Sequence, residues 1–278
     1  MNNGIFGFDA FSPREIAERV QAVGVAKARL PLLSLVMLGV LAGAFIGLGS
    51  LYYVIVVSDP GLTPALQRVL GGAVFSLGLL LVVVAGAELF TGNNLIAMAW
   101  AERKISTRGL LWNWLVVCAA NFAGAVGLAV LVLLSGHADQ YAGTYLRILE
   151  TKTSLPVAKA FFSGILCNVL VCMAVWMSLA GRSVVDKAVA ILLPISAFVA
   201  AGFEHSVANM YFIPLGMMLQ ALAGQPVELA GLARNLAPVI AGNLVGGSVL
   251  VALVYYVIYR WPLRTTSTLA PSRKASEG

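Results

Sequence analysis

The sequence predicts an all-α integral membrane protein of six transmembrane helices, arranged as two halves of an inverted repeat with the second and fifth helices broken. Three observations predict it. Of the 278 residues, 60% are hydrophobic and only 11% are charged, which is too little polar surface for a domain solvated by water. Six hydrophobic segments, at 32–57, 69–100, 110–134, 157–180, 188–223 and 236–259, each exceed the roughly 20 helical residues that a bilayer core requires. Two of the six are too long for one span, and both are interrupted by the same residue types.

The first 29 residues are mixed polar, and no short apolar core with a cleavage site precedes the first span, so no removable signal peptide is expected. The stretch SPREIAERVQAVGVAKA reads as an amphipathic helix. Ser12 is its N-cap, Pro13 takes the first turn and Glu15 completes a capping box. Ile16, Val20 and Val23 line one face, suited to lying along a membrane surface.

Lys and Arg set the orientation. Four lie in the N-terminal segment, three in the 101–109 loop, two in the 181–187 loop and four at the C-terminus, against five on the other side (Arg68, Arg147, Lys152, Lys159 and Arg234). The positive-inside rule places both termini in the cytoplasm. Trp100, Trp112, Trp114 and Trp261 fall near the cytoplasmic ends, as an interfacial belt would. The net charge of +6 is mostly this bias, and nucleic acid is not an expected partner. Cys118, Cys167 and Cys172 read as small buried hydrophobes, with no metal-chelating spacing.

Segment 69–100 would measure about 48 Å as one helix, against about 30 Å of hydrocarbon, and 188–223 is longer. Each is the second span of a three-span half. GAELFTGN contributes Gly86, Glu88 and Asn93; GFEHSVAN contributes Gly202, Glu204 and Asn209. Both read G-x-E-x-x-x-x-N, displaced by 204 − 88 = 116 positions. In the third spans, NFAG at Asn121 and NLVG at Asn243 are displaced by 122, and in the first spans Gly43 and Gly47 stand opposite Gly164 and Asn168, displaced by 121. Halves with an odd number of spans insert with opposite topology, which gives an inverted repeat around a midplane site. Gly39, Gly43 and Gly47, and again Gly242 and Gly246, form small faces for close helix packing, within the chain, between subunits, or both.

Within the spans the only acidic residues are Glu88 and Glu204 and the only histidine is His205. Intramembrane ionisable groups are functional candidates by default. For the two carboxylates a scaffold role is favoured, because a broken helix exposes N–H groups that need acceptors where there is no water. Asn93, Asn94 and Asn209 would likewise satisfy loop backbone. His205 has no titratable counterpart, since Leu89 occupies the matched position. A scaffold needs no titratable ring, so a transport role is the better reading. Phe75, Leu79, Leu89, Phe90 and Phe198 surround the breaks; taken alone they read as apolar packing.

The stretches LVVVAGAELFTG, GILCNVLVCMA and GFEHSVANM resemble the signature segments of the formate/nitrite transporter family, whose relatives include hydrosulfide channels. The resemblance covers about residues 10–260. It implies an aquaporin-like six-helix protomer, a homopentamer in the cell (inner) membrane, and a pore for small monovalent anions in each protomer. Carried over by motif, Leu89, Phe90 and Thr91 match the mobile loop of the broken helix. His205 matches the central pore histidine, with Thr91 as its hydrogen-bond partner. Phe75, Leu79, Phe198 and Val171 match apolar constriction positions, and Asn168 and Lys152 match polar positions along the anion's route. Met173 replaces a usual Leu or Val, the connection AGQPVELAGLARN is short, and GNN follows Thr91 where enterobacterial formate channels have hydroxyl residues. The anion is therefore left open among formate, nitrite and hydrosulfide, with formate or nitrite ahead by their frequency in the family.

The domain organisation expected is a cytoplasmic segment over 1–29, a channel domain over 30–262 with repeats of about 30–135 and 155–260, and a cytoplasmic tail over 263–278. An aquaporin-type neutral-solute channel is disfavoured because no Asn-Pro-Ala motif occurs. An enzyme is disfavoured because one histidine and three scattered cysteines supply neither a haem pair nor a zinc site. No cofactor or metal is expected. An anion would be drawn inward by the half-helix N-termini and Lys152. It would then meet His205, either taking a proton or passing beside a hydrogen-bonding ring.

Overall fold

The computed structural model describes residues 10–261, and those residues form helices and turns with no strand. The expected tail over 263–278 lies outside the described residues. Five helical stretches are long and apolar enough to cross a membrane: Leu32–Val57, Pro64–Ala85, Thr107–Leu134, Val157–Ser178 and Leu229–Tyr259. Leu33, Leu131, Leu134 and Leu193 are among many large apolar side chains left exposed, which suits a chain solvated by hydrocarbon.

The first helix, α1 (Pro13–Ala28), starts where the capping residues place it. The Ser12 hydroxyl accepts from the Glu15 amide, and the Glu15 carboxylate accepts from the Ser12 amide at 2.8 Å. These Ser12 contacts hold the Glu15 carboxyl below its ordinary range. Its apolar face differs from the expectation. Ile16 and Val20 are buried against Leu95, Met98, Trp176, Val251 and Tyr256, so they pack on protein, and Val23 stands exposed at 38%. Gly24 permits the approach, since a Cβ there would lie 3.2 Å from that of Ala99.

Helix α2 (Leu32–Val57) packs on α3 (Pro64–Ala85) and on α5 (Thr107–Leu134). Between α3 and α5 the chain turns through residues 86–91, a 3-10 turn (Gly92–Ile96) and the short α4 (Ala97–Ala101). After α6 (His137–Gln140) and α7 (Ala142–Thr153), α8 (Val157–Ser178) packs on α9 (Val184–Ala200) and α11 (Leu229–Leu244). Segment 188–223 is divided: α9 ends at Ala200 and α10 (Ser206–Leu222) follows. A π-helical stretch (Val245–Leu253) leads from α11 into α12 (Val254–Tyr259).

Both interruptions begin at a left-handed glycine, Gly86 with φ 83° and Gly202 with φ 72°. A side chain at either position would strain the backbone. The amides that follow turn back onto the finished helix, Ala87 N–H to Val82 and Phe203 N–H to Phe198. This closes each helix end as a C-terminal cap does.

The glycine faces serve contacts within the chain. A Cβ on Gly124 would run into the carbonyl of Val40, and one on Gly246 into that of Ile165. These two backbone collisions join α2 to α5 and α8 to the π-helical stretch. Gly124→Ala and Gly246→Ala are each expected to destabilise the folded protein by about 2 kcal/mol or more, as overpacking does. Thermal unfolding in detergent measures this, and an unchanged midpoint for either variant would contradict the packing described.

Candidate functional site

Each interruption is held by one asparagine from the third helix of its half. The Asn121 carboxamide oxygen accepts from the Phe90 amide at 2.8 Å, while its nitrogen donates to the carbonyls of Gly39 (2.8 Å) and Glu88 (2.9 Å). Asn243 repeats the pattern, accepting from the Ser206 amide at 3.0 Å and donating to Gly164 (2.8 Å) and Glu204 (3.0 Å). A primary amide has two donors and an acceptor, so one side chain meets three backbone groups that water cannot reach. Sequence reasoning noted Asn121 and Asn243 only as repeat markers.

This corrects the role expected of the carboxylates. Glu88 and Glu204 do not take the loop amides; they take side-chain donors. Glu88 accepts from Lys27 Nζ at 2.8 Å and from Asn93 Nδ2 at 2.7 Å. Glu204 accepts from Lys152 Nζ at 3.0 Å and from Asn209 Nδ2 at 2.6 Å. Asn93 and Asn209 extend these pairs to Asn113 and Asn235, whose own amides donate to the carbonyls of Lys27 and Lys152. Lys152, expected to attract the anion near the mouth, is held half-buried in an ion pair with Glu204. Lys27 on α1 is its counterpart.

The same contacts reset the register of the repeat. Gly39 and Gly164 play the same part, as do Lys27 and Lys152, and 164 − 39 = 152 − 27 = 125. The first spans thus match at 125, about one helical turn from the 121 read off the glycines, and Gly43 stands opposite Asn168. Extending the 122 offset from Asn121 and Asn243 to Asn113 and Asn235 would have found the remaining pair in the sequence.

Where the halves differ, polar groups collect. Thr91 Oγ1 lies 3.1 Å from His205 Nε2, and both are buried. His205 also caps α10, its Nδ1 accepting from the Ala208 amide at 3.1 Å. With Nδ1 acting as acceptor, the neutral ring carries its hydrogen on Nε2 and donates it to Thr91. The Thr91 carbonyl accepts from Asn168 Nδ2 and from Cys172 Sγ, each at 3.3 Å. Asn168 also donates to Asn94 Oδ1 at 2.7 Å, and Asn94 Nδ2 returns to the Phe90 carbonyl at 3.1 Å. Trp114, expected at the interface, spends its indole N–H on the Asn93 carbonyl at 3.0 Å; Trp112 and Trp261 are exposed.

Two cavities flank this cluster. One of about 220 Å³ is lined by Lys27, Leu79, Glu88, Leu89 and Asn93 among others. The second, of about 470 Å³, is lined by Phe75, Lys152, Phe198, Glu204, His205 and Asn209 among others. Phe198 stacks on the His205 ring at 5.7 Å, and Phe75 meets Phe198 edge-on at 5.7 Å. Phe90, Thr91, Asn94, Asn168 and Val171 line neither cavity and are buried in the core.

Apolar helices around two polar-lined interruptions, with a cavity beside each, describe a multi-pass membrane protein. The comparisons give its family. The model of the Formate/nitrite transporter family matches residues 14–257, and the chain belongs to that family. It is 39% identical over 272 residues to the formate channel FocA of Escherichia coli (strain K12), covering 91% of this chain and 95% of that one. Among solved structures, an FNT family ion channel superposes with a TM-score of 0.80 at 30% identity, covering 88% of this chain and 98% of that one. A pentameric formate channel with formate bound superposes with a TM-score of 0.75 at 35% identity, covering 82% and 97%.

Proposed function

We propose that the protein is a channel for a small monovalent anion, formate foremost, with nitrite and hydrosulfide as the alternatives. In this reading it has six spans, the second and fifth broken, in an inverted aquaporin-like repeat. It assembles as a homopentamer in the cell membrane, with both termini in the cytoplasm and a pore in each protomer. The E. coli relative and the formate-bound pentamer support formate and the assembly.

The observation that carries the proposal is the Thr91–His205 contact. It ties the loop that lines one cavity to the ring that lines the other. The constriction residues are then Phe75, Leu79, Phe198 and Val171, with Leu89, Phe90 and Thr91 as the loop between the cavities, Asn168 holding that loop and Lys152 at the mouth. Glu88, Glu204, Asn93, Asn94 and Asn209 are scaffold. Desolvation in such a constriction penalises a bare anion by several kcal/mol, and an N–H donor at its centre offsets part of that.

The cap favours one of the two mechanisms. A proton relay needs a hydrogen on Nδ1 while Nε2 gives its own to the anion, and Nδ1 faces the Ala208 N–H donor. The ring therefore works as a neutral donor through Nε2–H, with Thr91 exchanged for the anion in passing. Asparagine at 205 keeps an N-cap acceptor but loses the reach to Thr91. His205→Asn is expected to lower formate flux in proteoliposomes about tenfold, the loss of one buried hydrogen bond, with the shape of the pH profile retained. A changed profile would establish the relay instead.

A further inference from the structure

The two lysines beside the proposed path are each neutralised by a glutamate, Lys27 by Glu88 at 2.8 Å and Lys152 by Glu204 at 3.0 Å. Arg147 is not. It lines the same cavity as Lys152 and His205, and among the described residues no carboxylate lies within ion-pair distance of it. Its guanidinium makes one hydrogen bond, from Nη2 to the Thr144 hydroxyl at 2.9 Å, which leaves most of its five donors without a protein partner. The exposed Arg147 side chain lies between this cavity and a neighbouring recess that it shares with Glu150, one turn further along α7; Glu150 itself does not line this cavity. Gln67 and Thr151 add an amide and a hydroxyl to the same wall.

We infer that Arg147 is the capture site of this vestibule, and that it selects planar two-oxygen anions over spherical ones. The inference rests on the anion-channel reading above and names the part of the site that chooses among its candidate substrates. A guanidinium presents parallel N–H groups that match the two oxygens of a carboxylate or of nitrite, whereas hydrosulfide offers one acceptor centre. The vestibule's uncompensated positive charge thus sits on a fork aimed at one anion shape. The other cavity has no such group, because the repeat position 147 − 125 = 22 is Ala22. Capture is therefore one-sided, although the two lysine pairs are symmetric.

The test uses the full-length protein with Arg147→Gln and Arg147→Lys. Uptake of formate and of hydrosulfide is measured in right-side-out vesicles at low and high salt. In nanodiscs, broadening of the formate proton signal reports binding without transport. Arg147→Gln is expected to raise KM for formate about three- to tenfold at low ionic strength, as the loss of a focusing charge does. That difference should shrink in 1 M salt, where the screening length is about 3 Å, and maximal flux should stay within about twofold, since capture precedes the barrier. Arg147→Lys keeps the charge and loses the fork. It should match the wild type for hydrosulfide and fall between wild type and Arg147→Gln for formate. An Arg147→Gln protein with wild-type KM and wild-type broadening overturns the capture site. An Arg147→Lys protein with wild-type formate KM overturns the shape selection. If the wild type carries no anion yet broadens the signal through Arg147, the site stands and the channel reading falls.

Discussion

Asn243→Ala is expected to destabilise the folded protein by about 3–5 kcal/mol, because three polar groups lose a partner at once and each unmet group costs about 1–3 kcal/mol. The three are the Ser206 amide and the carbonyls of Gly164 and Glu204. The Ser206 amide opens α10, whose first N–H groups have no partner within the helix, and no water replaces the side chain in a hydrocarbon-solvated interior. Asn121→Ala strips the same set in the other half, the Phe90 amide and the carbonyls of Gly39 and Glu88. Its loss should therefore match that of Asn243→Ala within about 1 kcal/mol. Thermal unfolding of the purified protein followed by size exclusion reads both. A shift below about 1 kcal/mol for either would mean that the interruptions are held by something else.

The second large effect is expected at the buried ion pairs. Lys152→Met leaves the Glu204 carboxylate with only the amides of Asn209 and Asn235. Breaking a buried pair by removing one partner typically costs about 3–5 kcal/mol. Adding Glu204→Gln removes the stranded charge, so the double variant should regain about half of that or more. The equivalent Lys27→Met should cost less, because the Lys27 side chain is 26% exposed and that of Lys152 is 15%. A double variant no more stable than Lys152→Met would show that the charge of Glu204 is not what burdens the single change.

Much of the architecture was legible along the chain. Hydropathy marked the apolar segments, and the capping box located α1 to the residue. The two G-x-E-x-x-x-x-N stretches fall where α3 and α9 end, each at a glycine in the left-handed region. His205 and Thr91 were also named from sequence, the first as the lone titratable ring and both through a family resemblance. Other parts were not legible. Spaced glycines fix a repeat only to the nearest helical turn, since small faces recur every four residues, so the offset of 125 emerged from shared hydrogen-bond partners. The face of α1 was readable as apolar, yet periodicity does not say whether protein or lipid covers it.

What the sequence by itself determined is the apolar, helical character of the chain and the inventory of polar groups in its two G-x-E-x-x-x-x-N stretches, since these follow from composition and local spacing. What only the tertiary structure decided is who pairs with whom. It gave the loop amides to Asn121 and Asn243, closed both lysines onto glutamates, and left Arg147 as an unpaired charge lining the larger of the two cavities. The reason is that desolvated donors and acceptors are satisfied across helices, between residues from 31 to 114 positions apart in the pairs that matter most. In a medium without water, that matching in space sets the role of each group.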